Sequence, residues 1–227
     1  MSETSQSQTA AATTAWAEDR VKATLRRRGI PPPPATLLTA DAPLPEIAHP
    51  YPLVVKVCSP NILHKTDVGG VVLDVRDAEG LARVVADMRA RFPGESLLVE
   101  SMESKGVEAI VGVVRDPSFG PTIMFGLGGV LAELYKDVTF RMLPLSRADA
   151  EDAIDSIRGA ALLRGFRGME TNRAALVDLL LAVSRLVGEW GDAVVQMDLN
   201  PVFVRANDLV VVDAKLLLRE GAEIPIP

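Results

Sequence analysis

The sequence has a single cysteine, Cys58, and two histidines, His49 and His64. One cysteine excludes an internal disulfide and any cysteine-rich metal site. No apolar run approaches the roughly 20 residues that a membrane-spanning helix needs. Residues 1–15 are rich in Ser, Thr, Gln and Ala, without the basic start and apolar centre of a secretion signal. We therefore expect a disordered tail over residues 1–15 and a cytoplasmic protein that does not bind a membrane.

Positive charge is also scarce and dispersed. The chain has 24 basic and 30 acidic residues, a net charge of −6, and its longest basic run is Arg26-Arg27-Arg28. Nucleic-acid-binding domains normally present a basic patch, so a nucleic-acid partner is not expected. With 227 residues, 48% of them apolar, the chain is long enough for one large domain or two small subdomains.

The spacing of apolar residues predicts alternating strands and helices. Pro31–Pro34 ends a first helix over residues 16–28, and four prolines make residues 41–52 a loop. Asp77, Ser146 and Thr171 mark the starts of three further helices. The predicted strands cover residues 35–39, 53–57, 71–75, 96–100, 107–114, 122–125, 130–134, 138–143, 193–199, 202–205 and 209–213, with a hairpin turn at residues 207–208.

This order of elements, with a hinge near Glu100, indicates an α+β fold of two subdomains. We assign residues 16–100 to the smaller subdomain and residues 101–227 to the larger one. Two such units can close on a ligand bound between them.

A polar loop, Ser59–Val71, carries His64 directly after the apolar strand Leu53–Val57. Neutral imidazole is a good nucleophile towards phosphorus. Gly69 and Gly70 allow the backbone to turn or to approach a phosphate closely. The simpler interpretation is that His64 is a solvated loop side chain, which is the common case for a lone histidine.

Oxygen-bearing side chains end two strands near the C-terminus. Asp198 and Asn200 are two residues apart, so both point to the same face of a strand, and Asp213 ends the next strand. Mg²⁺ prefers oxygen ligands from one or two carboxylates, completed by water and phosphate. These residues form a candidate Mg²⁺ site, although acids at strand ends are commonly just solvated.

Three further features have both a functional and a structural interpretation. Lys56, on an apolar strand, either reaches solvent or faces a cleft that needs positive charge. The glycines at 126, 128 and 129 precede a predicted strand and do not form a dinucleotide fingerprint; they either contact a nucleotide or mark a tight corner. Arg141 either binds a phosphate or pairs with Asp137 or Glu133.

Several of these segments resemble one family. The run Lys56–Gly70 resembles the histidine-loop segment of the ADP-forming acetate-CoA ligases, whose nucleotide-binding subunit is an ATP-grasp domain related to succinyl-CoA synthetase. Asp198–Pro201 followed by Val211–Lys215 is similar to the metal-binding end of that domain, and Arg115–Gly129 to its central segment. The resemblance implies an ATP-grasp fold in which the two subdomains enclose a nucleotide cleft. Relatives usually have a helix where this chain has the proline-rich loop at 41–52.

The resemblance also implies roles for individual residues. His64 would carry phosphate as a covalent nucleophile, and Lys56 would hold nucleotide phosphates. Asn200 and Asp213 would bind Mg²⁺ with support from Asp198. The remaining expected nucleotide contacts are Glu100, Ser101 and Met102 at the adenine, Glu108 at the ribose, and Gly128, Gly129 and Arg141.

The implied function is that of the β subunit of an ADP-forming acyl-CoA ligase, which interconverts acyl-CoA, ADP and phosphate with acid, CoA and ATP. Mg²⁺ and ATP or ADP are its expected cofactors. The chain has no room for a CoA-binding domain, so we expect a separate α subunit, in a heterotetramer. Two alternatives remain open: an ATP-grasp carboxylate–amine ligase, which has no need of His64, and a non-catalytic nucleotide-binding regulatory subunit.

Overall fold

The computed structural model describes residues 12–129, 136–222 and 224. Its strands are β1 (Thr13–Ala15), β2 (Ala35–Leu38), β3 (Leu53–Cys58), β4 (Val71–Val75), β5 (Ser96–Ser101), β6 (Val107–Asp116), β7 (Gly120–Leu127), β8 (Val138–Met142), β9 (Val194–Val204), β10 (Leu209–Val211) and β11 (Ala214–Arg219). The helices are α1 (Glu18–Arg27), α2 (Ala78–Arg91), α3 (Arg147–Asp155) and α4 (Arg173–Trp190), with short 3-10 turns at Arg158–Arg164, Phe166–Gly168 and Gly191–Ala193. The strand predicted over residues 130–134 lies outside the described residues.

The larger sheet has the strand order β1-β11-β9-β6-β7-β8, with β10 paired to β9. All of its strand pairs are antiparallel. Along β6, Ala109, Val111 and Val113 are buried in one core with the apolar stripe of α4. Because side chains alternate along a strand, Glu108 points to the opposite face of this sheet.

The smaller sheet has the order β2-β5-β3-β4 and is also antiparallel. Leu53, Val55 and Val57 of β3 pack with α2 in a second core. The intervening residues of β3, among them Lys56 and Cys58, face the other way, towards α1. Residues 41–52 contain no helix, as predicted, and Leu44 and Ile47 from this loop pack against the second core instead.

Helix α1 does not belong to the smaller unit, which is a correction to the boundary predicted at residue 16. Its apolar residues Val21 and Leu25, with Trp16 before the helix and Ile30 after it, are buried in the core of the larger sheet. Residues 13–15, predicted as part of a disordered tail, form β1 and pair with Leu217–Arg219 of β11. From residue 12 onwards, the chain therefore passes from the larger sheet to the smaller one and back.

Local sequence signals were reliable. Asp77 accepts a hydrogen bond from the backbone of Gly80 at the start of α2, and Ser146 and Asp149 form a reciprocal capping box on α3. The α4 helix begins at Arg173 with Asn172 as its cap, two residues later than predicted. The strands predicted over 193–199 and 202–205 are one continuous strand, β9, and β11 was missed. No helix in the described part of the chain is long and apolar enough to span a membrane.

Candidate functional site

The histidine loop joins β3 to β4 and is closed at its base by backbone hydrogen bonds. Val57 N–H donates to Gly70 O at 2.8 Å, and Gly70 N–H donates to Lys65 O at 2.6 Å. A Cβ on Gly70 would lie 2.6 Å from Val57 Cγ1, and Gly69 has a positive φ of 66°. Glycines are therefore required at both positions by the tightness of this turn. His64 is exposed, whereas the next residue, Lys65, is buried.

Lys65 points inwards, to a buried group of six charged side chains that connects α1, the smaller sheet and the segment before β11. Lys65 Nζ lies 2.6 Å from Glu18 Oε2 and 2.9 Å from Asp213 Oδ1. We call this group the lysine–carboxylate cluster; its members are Glu18, Lys22, Lys56, Lys65, Glu100 and Asp213.

Two lysines fill the centre of the cluster. Lys22 Nζ is 2.6 Å from both Glu18 Oε1 and Glu100 Oε1, and it donates to Val212 O at 2.6 Å. Lys56 Nζ is 3.1 Å from Glu18 Oε1 and 2.9 Å from Glu100 Oε2, and it donates to Val212 O at 2.8 Å. Each ammonium thus has three oxygen neighbours and donates hydrogen bonds to two of them, Lys22 to Glu100 Oε1 and Val212 O and Lys56 to Glu18 Oε1 and Val212 O.

The cluster holds three ammonium groups and three carboxylates, so its formal charge is balanced. Burial opposes ionisation of Glu18, but the ammonium groups of Lys56, Lys22 and Lys65 outweigh it and hold the pKa of Glu18 well below its usual range. Burial would lower the pKa of Lys56, yet Glu18 and Glu100 raise it above the usual value. These two residues are therefore charged at neutral pH.

The predicted Mg²⁺ ligands come together where the middle of β9 lies beside the start of β11. The backbone N–H of Asn200 donates to Asp213 O at 3.1 Å, and Asp198 is opposite Lys215 in the strand register. Burial raises the pKa of Asp198, with a further contribution from the Asp213 carboxylate, while Lys215 and the nearby imidazole of His64 act in the opposite direction. His64 and the three metal-ligand candidates therefore share one region.

Asp213 has an oxygen that suits a cation. Its Oδ1 is buried, and the Lys65 ammonium at 2.9 Å does not lie along a hydrogen-bonding direction, so no described residue donates a hydrogen bond to it. Burial, followed by the charge of Glu18, raises the pKa of Asp213. Asp198, Asn200 and Asp213 supply the oxygen donors that Mg²⁺ prefers, so they fit the ion. No cluster of three His, Cys, Asp or Glu side chains arranged for a metal occurs within the described ranges, and the candidate set here combines two carboxylates with one amide.

Glu108 and the two glycines lie together at another part of the larger sheet. Gly128 N–H donates to Glu108 O at 2.6 Å, and a Cβ on Gly129 would lie 2.9 Å from Glu108 Oε2. Glu108 and Gly128 line a pocket of about 680 Å³ together with Met169 and Arg205. A side chain at Gly129 would therefore fill the space beside the Glu108 carboxylate, and one at Gly128 would press on the Cβ and backbone of Glu108. Gly126 has a different reason: a Cβ there would lie 2.7 Å from Asp137 O, so this glycine marks a tight corner.

The two antiparallel sheets are thus joined through the lysine–carboxylate cluster, and the histidine loop lies beside it. Residues 7–218 match the family model of the ATP-grasp domain. The chain belongs to the ATP-grasp family.

Relatives of this ATP-grasp chain include whole ligases and separate subunits. It is 40% identical over 220 residues to the β subunit of acetate–CoA ligase (ADP-forming) II of Pyrococcus furiosus, covering 91% of this chain and 92% of that subunit. It is 42% identical over 170 residues to acetate–CoA ligase (ADP-forming) II of Archaeoglobus fulgidus, covering 75% of this chain. The matched part is only 25% of the Archaeoglobus protein.

Solved structures agree with the fold. Acetyl-coenzyme A synthetase 1 of Ca. Korarchaeum cryptofilum, in complex with coenzyme A and Ca-AMPCP, is 36% identical with a TM-score of 0.78, covering 91% of this chain and 94% of that one. A second structure of the same protein, with coenzyme A and Mg-AMPPCP, is described as having its phosphohistidine segment pointing towards the nucleotide-binding site. It is 37% identical with a TM-score of 0.76, covering 91% of this chain and 93% of that one.

Arg141, one of the predicted nucleotide contacts, does not lie with the other predicted site residues. Arg141 pairs with Asp152 of α3 and also donates to Ser156 Oγ at 2.8 Å, so its guanidinium faces the helix-covered side of the sheet. Asp137, one of its two predicted partners, does not pair with it. Asp137 accepts from the backbone N–H groups of Arg158 and Gly159, both at 2.7 Å, and Glu133 lies outside the described residues.

The predicted adenine contacts at the hinge, Glu100, Ser101 and Met102, lie in different environments. The Glu100 carboxylate is committed to Lys22 and Lys56 within the cluster. Ser101 Oγ is buried and has no hydrogen-bond partner in the described part of the chain. Met102 is partly exposed, and its N–H donates to Pro52 O at 2.9 Å. His49 is half-buried and hydrogen-bonds Thr36 Oγ1 at 3.0 Å.

Three members of the cluster were not predicted from the sequence: Glu18, Lys22 and Lys65. The spacing of Glu18 and Lys22, four residues apart on α1, is that of an ordinary exposed ion pair. Lys65 directly follows His64 in the histidine loop, and this position is the sequence signal that could have identified it.

Proposed function

We propose that this chain is the nucleotide-binding β subunit of an ADP-forming acyl-CoA ligase, in which His64 carries phosphate between ADP or ATP and a separate CoA-binding α subunit. The chain is homologous to β subunits of ADP-forming acetate–CoA ligases over nearly its whole length. The observation that carries the proposal is the arrangement of the histidine loop. His64 is exposed while Lys65 beside it is tied to Glu18 and to Asp213, a candidate metal ligand.

The chemistry uses the imidazole as a nucleophile. In one direction a ring nitrogen of His64 attacks the terminal phosphorus of ATP, a P–N bond forms, and the P–O bond to ADP breaks with ADP as the leaving group. In the other direction ADP attacks phosphohistidine and ATP forms. The exposure of His64 allows the same nitrogen to meet a phosphoryl donor on the α subunit.

Mg²⁺ would supply charge neutralisation at the transferring phosphate, as in other phosphoryl-transfer enzymes. Asn200 and Asp213 would hold it, with Asp198 beside them. The chain itself contributes the fixed positive charge of Lys65, whose pKa the carboxylates of Glu18 and Asp213 raise against the effect of burial. Such preorganised charge lowers the free energy of a phosphoryl-transfer transition state.

The two histidines of the chain provide a matched experiment. The purified protein is incubated with Mg·ATP labelled at the γ-phosphate and digested with trypsin, which cuts after Lys56 and Lys65. We expect an acid-labile, base-stable label on the peptide 57–65. His64→Asn should abolish this label and leave nucleotide affinity nearly unchanged, because asparagine is polar but cannot act as the nucleophile. His49→Asn is the control and should be labelled normally.

Absence of label from the peptide 57–65 in the unmodified protein, with nucleotide bound, would overturn the phosphate-carrier role. Nucleotide binding without any label would favour a regulatory subunit, and turnover of an acid and an amine without His64 would favour a carboxylate–amine ligase. For the assembly, we propose a heterotetramer with two copies of each subunit. The mass of the native complex, measured by light scattering, tests this stoichiometry.

A further inference from the structure

Glu18 is the hub of the lysine–carboxylate cluster, although it lies on α1, far in sequence from the histidine loop. Its Oε1 is 2.6 Å from Lys22 Nζ and 3.1 Å from Lys56 Nζ, and its Oε2 is 2.6 Å from Lys65 Nζ. Glu18 thus contacts all three lysines of the cluster. Only 5% of its surface is exposed, so water does not substitute for these partners.

The docking of α1 does not depend on Glu18 alone. Lys22 already ties this helix to Glu100 of β5 and to the carbonyl of Val212, while Val21 and Leu25 anchor it in the larger core. Glu18 adds two contacts, that of its Oε1 with Lys56 on β3 and that of its Oε2 with Lys65. The second of these reaches the histidine loop. This contact joins a rigid helix to a loop residue adjacent to His64.

Lys65 has one other anionic partner among the described residues, Asp213. Asp213 belongs to the candidate Mg²⁺ site, so its carboxylate would bind the ion as well as Lys65. Glu18 is not among the predicted ligands of that site, and its Oε2 lies 2.6 Å from Lys65 Nζ. Glu18 is therefore the partner that can hold Lys65 whether or not Asp213 is engaged elsewhere.

We propose that Glu18 is a positioning residue of the phosphate-transfer site, which holds Lys65 and, through it, the histidine loop in the docked position. The effect of Glu18 on phosphate transfer rests on the proposed function, whereas its docking of Lys65 rests on the ion-pair geometry alone. The two parts are tested separately.

The structural part is tested by limited trypsin digestion of the native protein, with cleavage at the Lys65–Thr66 bond measured by mass spectrometry. This bond is protected while Lys65 is docked, and cleavage follows the population of the open loop. We expect Glu18→Gln to increase cleavage there by roughly ten- to a hundredfold, because it removes one charge-assisted partner of Lys65. Glu100→Gln is the matched control. Glu100 is equally buried and paired with two lysines but does not contact Lys65, so cleavage should rise less than about threefold.

The functional part uses the rate of phosphohistidine formation at saturating Mg·ATP. Glu18→Gln should slow this rate by about tenfold or more while changing nucleotide affinity less than about threefold, and Glu18→Asp should restore part of it. Should the Gln variant fail to fold, the comparison of Glu18→Asp with Glu100→Asp replaces it in the digestion assay.

Equal increases in Lys65 cleavage for the Glu18 and Glu100 variants would overturn the positioning role and leave Glu18 as a purely structural ion-pair residue. No increase in either variant would overturn it as well. If the unmodified protein forms no phosphohistidine, the proposed function fails, whereas the digestion result still decides whether Glu18 docks the loop.

Discussion

Replacing Lys22 with methionine removes one ammonium group from the lysine–carboxylate cluster and keeps a side chain of similar length. Lys22 is only 2% exposed, and its Nζ lies 2.6 Å from each of three oxygens: Glu18 Oε1, Glu100 Oε1 and Val212 O. Removing one partner of a buried ion pair costs about 3–5 kcal/mol, because the remaining charge is left without compensation. Glu100 keeps Lys56, and Glu18 keeps Lys56 and Lys65, so we expect a loss near the lower limit, about 3 kcal/mol.

Charge balance makes a sharper test than the single variant. Glu100→Gln alone leaves an excess of positive charge, but the double variant Lys22→Met/Glu100→Gln again has equal numbers of ammonium and carboxylate groups. The double variant should therefore lose about 1–3 kcal/mol less stability than the sum of the two single losses. Lys105→Met, at an exposed position, is the control and should change stability by less than about 0.5 kcal/mol.

The free energy of unfolding is measured by urea denaturation at pH 7, followed by circular dichroism and by tryptophan fluorescence. Trp16 and Trp190 have ring centroids 5.7 Å apart in the larger core, so fluorescence reports that core. The two signals must change together for the two-state treatment to apply. Single losses that add within about 0.5 kcal/mol would refute the idea that the cluster is one interacting unit.

Four further predictions concern separate parts of the chain. Burial raises the pKa of Cys58 from 9.0 to about 12, so its thiol should react with a disulfide reagent at pH 8 about a thousandfold more slowly in the native protein than in urea; comparable rates would contradict this. Gly188→Ala should stabilise the protein by about 0.5–1 kcal/mol in urea denaturation, because Gly188 lies within α4 with nothing within 4 Å of the added Cβ. The pKa of Glu18 is below its ordinary value of 4.5, so the stability that its ionised carboxylate contributes is fully present above pH 4.5 and is lost as the pH falls below it. The difference in unfolding free energy between the unmodified protein and Glu18→Gln should therefore shrink from pH 6 to pH 3. A constant difference would contradict this prediction. Asp213→Ala should weaken Mg·ADP binding, measured by calorimetry, by about tenfold or more, whereas intact affinity with a lower melting temperature would indicate a structural role.

Features that depend on neighbouring residues could be predicted from the sequence. The caps at Asp77 and Ser146 are formed by side chains within three residues of the backbone groups they bind. The turn at residues 207–208 joins β9 to β10 as expected, with Arg205 N–H donating to Asp208 O at 2.9 Å. The histidine loop was recognisable for the same reason, since its glycines and His64 lie in one short segment.

Features that depend on distant pairing could not be predicted in the same way. Lys22 and Glu100 are 78 residues apart, and Lys56 and Glu18 are 38 apart, so no local pattern reveals that they meet. The side of the sheet that Arg141 faces depends on the register of β8 with β7 and on the position of α3. Residues 13–15 form a strand only because β11, at the other end of the chain, pairs with them.

That pairing of β1 with β11 protects one edge of the larger sheet. An unpaired strand at the edge of a sheet offers its N–H and C=O groups to any other chain, and a very short covering strand is a common protection. Here Thr13–Ala15, together with the hydrogen bond from Trp16 N–H to Leu216 O, covers the outer side of the six-residue strand β11. A shortened chain that begins at residue 17 would leave this apolar strand open to addition of the same strand from a second molecule, and self-association would then compete with folding.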